Sequence, residues 1–420
     1  MKIFVTFVLL LCNQISFSQT REAKWREDIE YLRKELPQKH INFFSLRTRN
    51  VFNKSLAAIS ESVSTTSDNS IAIQLRQLLA SFGDSHTNIN LYQIIKPYKA
   101  IPLTFHFFVN GYYITQTTKE NEVLLGSKVL KINNIPVDSI AEAFKTLITV
   151  DNSGTIKKEI PRLLRFYSLY DHFNFSSGDT ISLDVRKSEN GDTIKNYLIV
   201  IPEKESLAAE FLYIKQINKP LYRYYYRKAF DTHYLQEEQI YYIPYNQCWS
   251  KELEIKYNNG KHADSLPSFK EFEEIVMRDL DSLKIKKIVF DLRFNSGGSS
   301  LQGSLLIEKM MTNKHVMKNI KVYVLIGRYT YSSAILNAMD FKEYENVTYV
   351  GEETSGRPNH FGEVEEFTLP HSGIVVTYST KYFHRTNING NTLIPDVKMY
   401  STIYDNMQGT DIMLEYVKKQ

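Results

Sequence analysis

Three short segments of this 420-residue chain concentrate side chains that can do chemistry. They are Gly83-Asp84-Ser85-His86-Thr87, Phe290-Asp291-Leu292-Arg293-Phe294-Asn295-Ser296-Gly297-Gly298, and Gly327-Arg328-Tyr329-Thr330-Tyr331-Ser332-Ser333-Ala334. In the third, an apolar run ends at Ile326, a polar turn follows, and a helix is expected to begin at Ser332 or Ser333. A serine there holds its hydroxyl beside free helix amides and the positive end of the helix dipole, where an oxyanion is stabilised. The same serine read alone is an ordinary helix N-cap. The second segment closes an apolar run on paired glycines, which allow close backbone approach and present amides to an anion, although glycine pairs also make simple turns. His86 has the side chain whose ordinary pKa, near 6.5, suits a general base, yet a lone histidine near a helix end is more often structural. Each segment alone is weak evidence for function; the three together are far more specific.

The elements that must position these residues follow from periodicity. From Arg21 to about Phe82 the pattern is helical, with Trp25, Ile29, Leu32 and Leu36 on one face and Ile71, Leu75, Leu78 and Leu79 on another. From about Ile101 short aromatic and β-branched runs take over: Leu103 to Val109, Tyr112 to Thr117, and Val129 to Ile132. They are separated by Asn110-Gly111 and Asn133-Asn134 turn signals. A helical stretch from Ile140 to Ile148 and strands at Ile181 to Val185 and Tyr197 to Ile201 complete a β-rich middle. From about Gln239 strands and helices alternate. The strands are Tyr241 to Pro244, Lys287 to Leu292, Lys321 to Ile326 and Val347 to Val350; the helices are Phe269 to Leu283, Leu301 to Met311 and Ser332 to Asp340. Such alternation predicts an α/β layer with a mostly parallel sheet, whose ligand sites lie at the carboxyl ends of strands. The expected organisation is residues 1–18 as a signal peptide, 19–95 as a helical domain, 96–203 as a β-rich domain and 204–420 as the α/β core.

Composition narrows the function classes. Hydrophobic residues at 43% and charged residues at 23% describe a globular chain, not a disordered one. A net charge of +4 is too small to argue for nucleic acid or an anionic membrane. Lys2, the apolar run Ile3 to Leu11 and the small residues Ser16 and Ser18 before Gln19 read as a secretory signal, which predicts export to the periplasm or the cell exterior. Leu11 stands where a lipobox needs a small residue, which argues against lipidation at Cys12. No stretch supplies the roughly 20 apolar residues of a membrane span, so the mature chain is expected to have none. Cleavage of the signal leaves Cys248 as the one cysteine, so no intramolecular disulfide is expected. No metal-ligand spacing and no nucleotide-binding loop is present, and no cofactor is expected.

In order and spacing the three segments, with Gly351-Glu352-Glu353-Thr354-Ser355-Gly356-Arg357, resemble the tail-specific or C-terminal-processing serine peptidases, and among them the tricorn-like branch. The resemblance spans nearly the whole mature chain. It implies a crotonase-like α/β catalytic core behind a helical front and a PDZ-like middle domain, the latter matched at Gly126 to Val137. It also implies that Ser332, two positions after Thr330, is the nucleophile, and that the amides of Ser333 and of Gly297 or Gly298 form the oxyanion hole. The processing branch takes its base from a lysine where this chain has Arg357, and a guanidinium cannot accept the serine proton near neutral pH. The tricorn-like branch uses a histidine in a Ser-His pair, matched by His86, with Ser85 as a relay. The glutamate that supports the histidine in that branch is matched near Asn389 by an amide, which stabilises an imidazolium less well. Asp84, Glu353 and Glu363 remain as unranked candidates for the acid, Asp291 is expected to anchor its strand end, and His360 to line the cleft.

These readings make the chain an exported serine peptidase acting on peptides or unfolded protein through a Ser332 acyl-enzyme. The competing reading is a catalytically silent peptide- or ligand-binding envelope protein on the same fold, supported by the missing glutamate. A small-ligand carrier is weaker still.

Overall fold

The computed structural model describes residues 20–90, 99–176, 178–187, 191–313, 317–387 and 390–420. The expected signal peptide and Asn389 lie outside them. Three helices open the chain, Arg21–Lys39, Arg49–Ser62 and Asp68–Ala80. Each starts where a Thr or Ser hydroxyl accepts a first-turn amide: Thr20 from Ala23, Thr48 from Val51 and Ser67 from Ser70. Phe43, Phe52 and Phe82 pack ring on ring where the third helix ends, with Phe43 and Phe82 stacked at 4.6 Å. This cluster fixes where the chain leaves the helix and enters the loop carrying Asp84, Ser85 and His86.

The middle sheet is antiparallel. Its strands run in the order Leu212–Tyr213, Gly111–Thr117, Lys128–Ile132, Thr180–Arg186, Thr193–Ile199, with Leu103–Phe108 paired to Gly111–Thr117 and Ile135–Pro136 to Lys128–Ile132. Asn133 and Asn134, at φ 53° and 62°, form a two-residue turn between Ile132 and Ile135. A tight hairpin favours Asn there because both central residues need positive φ. One continuous apolar core runs from Leu32, Phe52 and Leu75 of the helical front to Leu103, Ile114 and Ile181 of this sheet. A hairpin from the far end of the chain, His360–Thr368 with Val375–Phe383, adds Leu369, Val376 and Tyr378 to that core and pairs with Asn88–Ile89.

The α/β part holds a six-stranded sheet in the order His233–Leu235, Ile240–Pro244, Lys287–Asp291, Lys321–Ile326, Val347–Gly351, Val397–Lys398. Only the first pairing is antiparallel. The pairings Asp291 with Leu325 and Ile326 with Gly351 level three strand ends, so the loops that follow emerge side by side. The first of these ends is held by a buried network. Arg293 bonds both oxygens of Asp291 and both of Asp411, and the Tyr242 hydroxyl donates to Asp291 at 2.6 Å. Asp291 thus anchors the strand end.

A helix at Ser153–Leu163 escapes the periodicity reading because Gly154 and Pro161 interrupt its pattern. Asn152 caps it by accepting the Thr155 amide at 3.0 Å, and the Asn152 side-chain amide donates to the Asn391 carbonyl at 2.6 Å. The Thr155 hydroxyl donates to the Ser355 carbonyl. The start of this helix is therefore bolted to the Gly351–Arg357 loop of the α/β part. Among the described residues no helix is long and apolar enough to cross a membrane.

Candidate active site

Ser332 occupies the N-cap position of the helix Ser333–Asp340 with φ 54° and ψ −127°, and its hydroxyl makes no capping bond. A positive φ in a residue with a Cβ costs about 1–3 kcal/mol and persists only where neighbours over-determine it. Here the Tyr331 amide donates to the Asn295 carbonyl at 3.1 Å and the Thr330 hydroxyl to the Leu292 carbonyl at 2.8 Å. The Ser332 Oγ lies instead 3.1 Å from His86 Nε2. Strain and orientation together remove the ordinary capping role.

His86 is delivered by a loop built around Asp84. The buried Asp84 carboxylate accepts from His40 Nε2 at 3.0 Å, Thr87 Oγ1 at 2.5 Å, Ser379 Oγ at 2.6 Å and the His86 amide at 2.9 Å. Burial alone would raise its pKa, but the hydrogen bonds from His40, Ser379 and Thr87 bring it down to about 2. The His86 imidazole is itself pushed down to about 4, chiefly by burial, with Lys158 and His360 adding to the effect against the pull of Asp84. It is neutral at pH 7 and able to accept a proton. Its Nδ1 lies 3.2 Å from the Tyr331 hydroxyl, which is 2.7 Å from Ser85 Oγ. The Tyr331 ring stacks on the imidazole at 4.9 Å.

The glycine pair closes against the serine. Gly297 and Gly298 have φ 107° and 134°. A Cβ on Gly297 would stand 2.8 Å from that of Ser332, and one on Gly298 2.3 Å from the Cys248 carbonyl oxygen. Only glycine allows this approach. The Gly297 amide donates to Asn295 Oδ1 at 2.9 Å and so already has a partner within the fold. Ser333 Oγ donates to the Gly298 carbonyl at 2.7 Å and ties the two together.

The remaining site residues are placed as follows. His360 holds its ring 5.7 Å from that of His86 and its Nδ1 2.8 Å from the Arg357 carbonyl. Glu353 accepts the Tyr400 hydroxyl at 2.8 Å and pairs with Lys398 at 3.3 Å, while Glu363 is exposed and lies 3.5 Å from Lys381. Both carboxylates are thus engaged by partners other than His86. Ser85 reaches His86 only through Tyr331. Sequence reasoning missed Tyr331, which it treated as the variable position of Thr-x-Ser. It also missed Asp151, whose Oδ1 pairs with Arg357 Nε at 2.6 Å. A cavity of about 580 Å³, lined by Ser85, His86, Thr155, Lys158, Tyr331 and Thr377, opens beside the pair. A second, of about 730 Å³, runs past Ser296 and Phe294 toward the middle sheet at Phe105 and His106.

No protein-family model and no curated protein matches this sequence. Solved structures do match. Mature CPAF aligns at 14% identity with a TM-score of 0.64, covering 95% of this chain and 97% of that one. Mature CPAF complexed with lactacystin gives the same identity and score over 95% and 98%. The photosystem II D1 C-terminal processing protease aligns at 12% identity over 91% and 93%, but its TM-score of 0.39 is too weak a likeness to argue from. Over nearly its whole length, this chain has the fold of mature CPAF.

Proposed function

We propose that this chain is a serine peptidase of the tail-specific or C-terminal-processing kind, cleaving peptides or unfolded protein through an acyl-enzyme on Ser332. The observation that carries the reading is the strained Ser332 with its Oγ 3.1 Å from His86 Nε2; the Gly298 and Ser333 amides are assigned here to the oxyanion. His86 accepts the hydroxyl proton as Oγ attacks the peptide carbonyl, and the two amides stabilise the charge on the tetrahedral oxygen. Collapse expels the amine, which takes the proton from His86. Water, activated by the same imidazole, then releases the acyl group. The Lys2–Ser18 signal supports action outside the cytosol, and the middle sheet serves as a PDZ-like module beside a crotonase-like core. The test is hydrolysis of a denatured, fluorophore-quenched protein by the mature chain. Ser332→Ala and His86→Ala should each lower kcat by about a thousandfold or more, and wild-type turnover in either contradicts the assignment.

A further inference from the structure

Lys158, Glu159 and Arg162 lie on the helix Ser153–Leu163 and line both cavities beside the Ser332–His86 pair. The charges of the cavity that holds His86 do not balance. Besides the imidazole, its lining carries three cations, Arg76, Lys158 and Arg162, and among the described residues one carboxylate, Glu159. That carboxylate is committed to Arg162, whose Nε and Nη2 donate to its Oε2 at 3.1 and 2.8 Å. The Lys158 ammonium stands 3.6 Å from the other oxygen. Arg76 donates to the Leu147 and Ile89 carbonyls and pairs with no carboxylate among the described residues. Asp84 does not line the cavity and accepts four donors of its own.

We propose that the enzyme selects acidic peptides, with Lys158 as the specificity-determining residue that receives an aspartate or glutamate side chain beside the scissile bond. This rests on the peptidase reading above. The Lys158 Nζ lies 4.5 Å above the Tyr331 ring, and that ring stacks on the His86 imidazole at 4.9 Å. The cation is therefore next to the nucleophile without contacting the reacting atoms. An ammonium is a point charge with three donors, and a carboxylate that pairs with it in a half-buried cleft gains a charge-assisted hydrogen bond. A free chain end could offer the same group. The cations favour side chains, because they continue along the second cavity to Arg165 and Arg223, which pair with no carboxylate among the described residues. One terminus supplies a single carboxylate, whereas an acidic stretch matches cations spread over both cavities.

The test uses the mature chain and end-blocked, internally quenched peptides of one neutral sequence, with Glu, Gln or Lys at each position in turn. At a position beside the cut, wild-type kcat/KM should be about 10- to 100-fold higher for Glu than for Gln, the worth of a charge-assisted hydrogen bond, with Lys lowest. Lys158→Met should bring the Glu and Gln peptides level, and Lys158→Arg should keep most of the preference. Each readout is a ratio within one protein, so a general loss of activity does not imitate the result. Equal wild-type rates for Glu and Gln at every position, or a Glu preference that survives in Lys158→Met, overturns the proposal. So does a preference seen only when the peptide carries a free carboxyl end, which would assign the cations to a chain terminus. Ser332→Ala should bind the fluorescein-labelled Glu peptide about tenfold tighter than the Gln peptide in anisotropy titrations. If the wild type hydrolyses nothing, the peptidase reading falls, while this binding comparison still decides the subsite. The wild-type ratio keeps the question answerable should Lys158→Met fail to fold.

Discussion

Two aspartates flank His86, both buried, and their surroundings set them apart. Asp84 accepts from four donors, and those bonds outweigh burial to hold its pKa at about 2. Asp151 pairs with Arg357 at 2.6 Å, and against that pull burial pushes its pKa up to about 6, with Asp84 adding to the rise. The number of donors, more than the depth of burial, separates them. Asp84 is a knot that builds the histidine loop, and Asp151 is a buried charge held by Arg357.

The comparison breaks most visibly at Asp84. Asp84→Ala strands the His40, Thr87, Ser379 and His86 donors in the interior, so urea unfolding should show a loss of about 3–5 kcal/mol, with activity lost as well. Asp151→Ala, whose partner Arg357 is about a third exposed, should cost markedly less stability in the same assay. Equal losses would erase the distinction.

Next comes the pH dependence of stability. His86 falls from 6.5 unfolded to about 4 folded, so the unfolded chain binds the extra proton between those values and stability rises with pH across that window. Asp151 rises from 3.8 to about 6, so the folded chain binds the extra proton and stability falls with pH over most of the same window. Each contribution is on the order of 3 kcal/mol at about 1.4 kcal/mol per pKa unit, and they largely cancel. Asp151→Asn removes one of them. Its stability should drop more steeply than that of the wild type as pH falls from 6 toward 4, as denaturant titrations at each pH would read. Parallel curves for the two proteins would contradict the opposed shifts.

Activity sharpens the same contrast. The neutral imidazole is the active form, and its fraction falls as pH drops through about 4, so the acid limb of kcat/KM assigned to His86 should lie near 4 and not near 6.5. The groups facing it are Asp84 and the Phe361 carbonyl, which raise the value, and His360 and Lys158, which lower it. An acid limb at 6.5 that persists in Asp151→Asn, where the other nearby titrating group is removed, would show that the ring is solvated in the working enzyme. The smallest effect belongs to Arg357→Lys. It keeps a cation beside Asp151, so a denaturant titration at pH 7 should differ from wild type by less than about 1 kcal/mol, whereas Arg357→Gln removes the group that lowers the carboxyl's pKa and should destabilise more.

Much of this was legible in the chain itself. The parallel strands and the second and third chemical segments are local patterns, in which a β-branched run ends on glycines or on a polar turn before a helix. The strand Lys321–Ile326 falls where its apolar run predicts it. What could not be read is long-range. Asp151 and Arg357 meet because Asn152 and Thr155 dock the start of an interrupted helix onto a distant loop. The hairpin His360–Phe383 returns to the helical front, a pairing that no local pattern encodes. Glu353 and Glu363 were candidates because they lie near the expected motifs along the chain, but Tyr400 and Lys381 take them in space. Tyr331 has no sequence signal at all, since one aromatic among 28 tyrosines looks like core.

The most direct measurement is covalent labelling of the mature protein with a fluorophosphonate, with the modified residue located by mass spectrometry. The account predicts a single adduct on Ser332, absent in Ser332→Ala and strongly slowed in His86→Ala. A folded wild-type protein that takes no label, or takes it on another serine, contradicts the claim that the Ser332–His86 pair is an activated nucleophile.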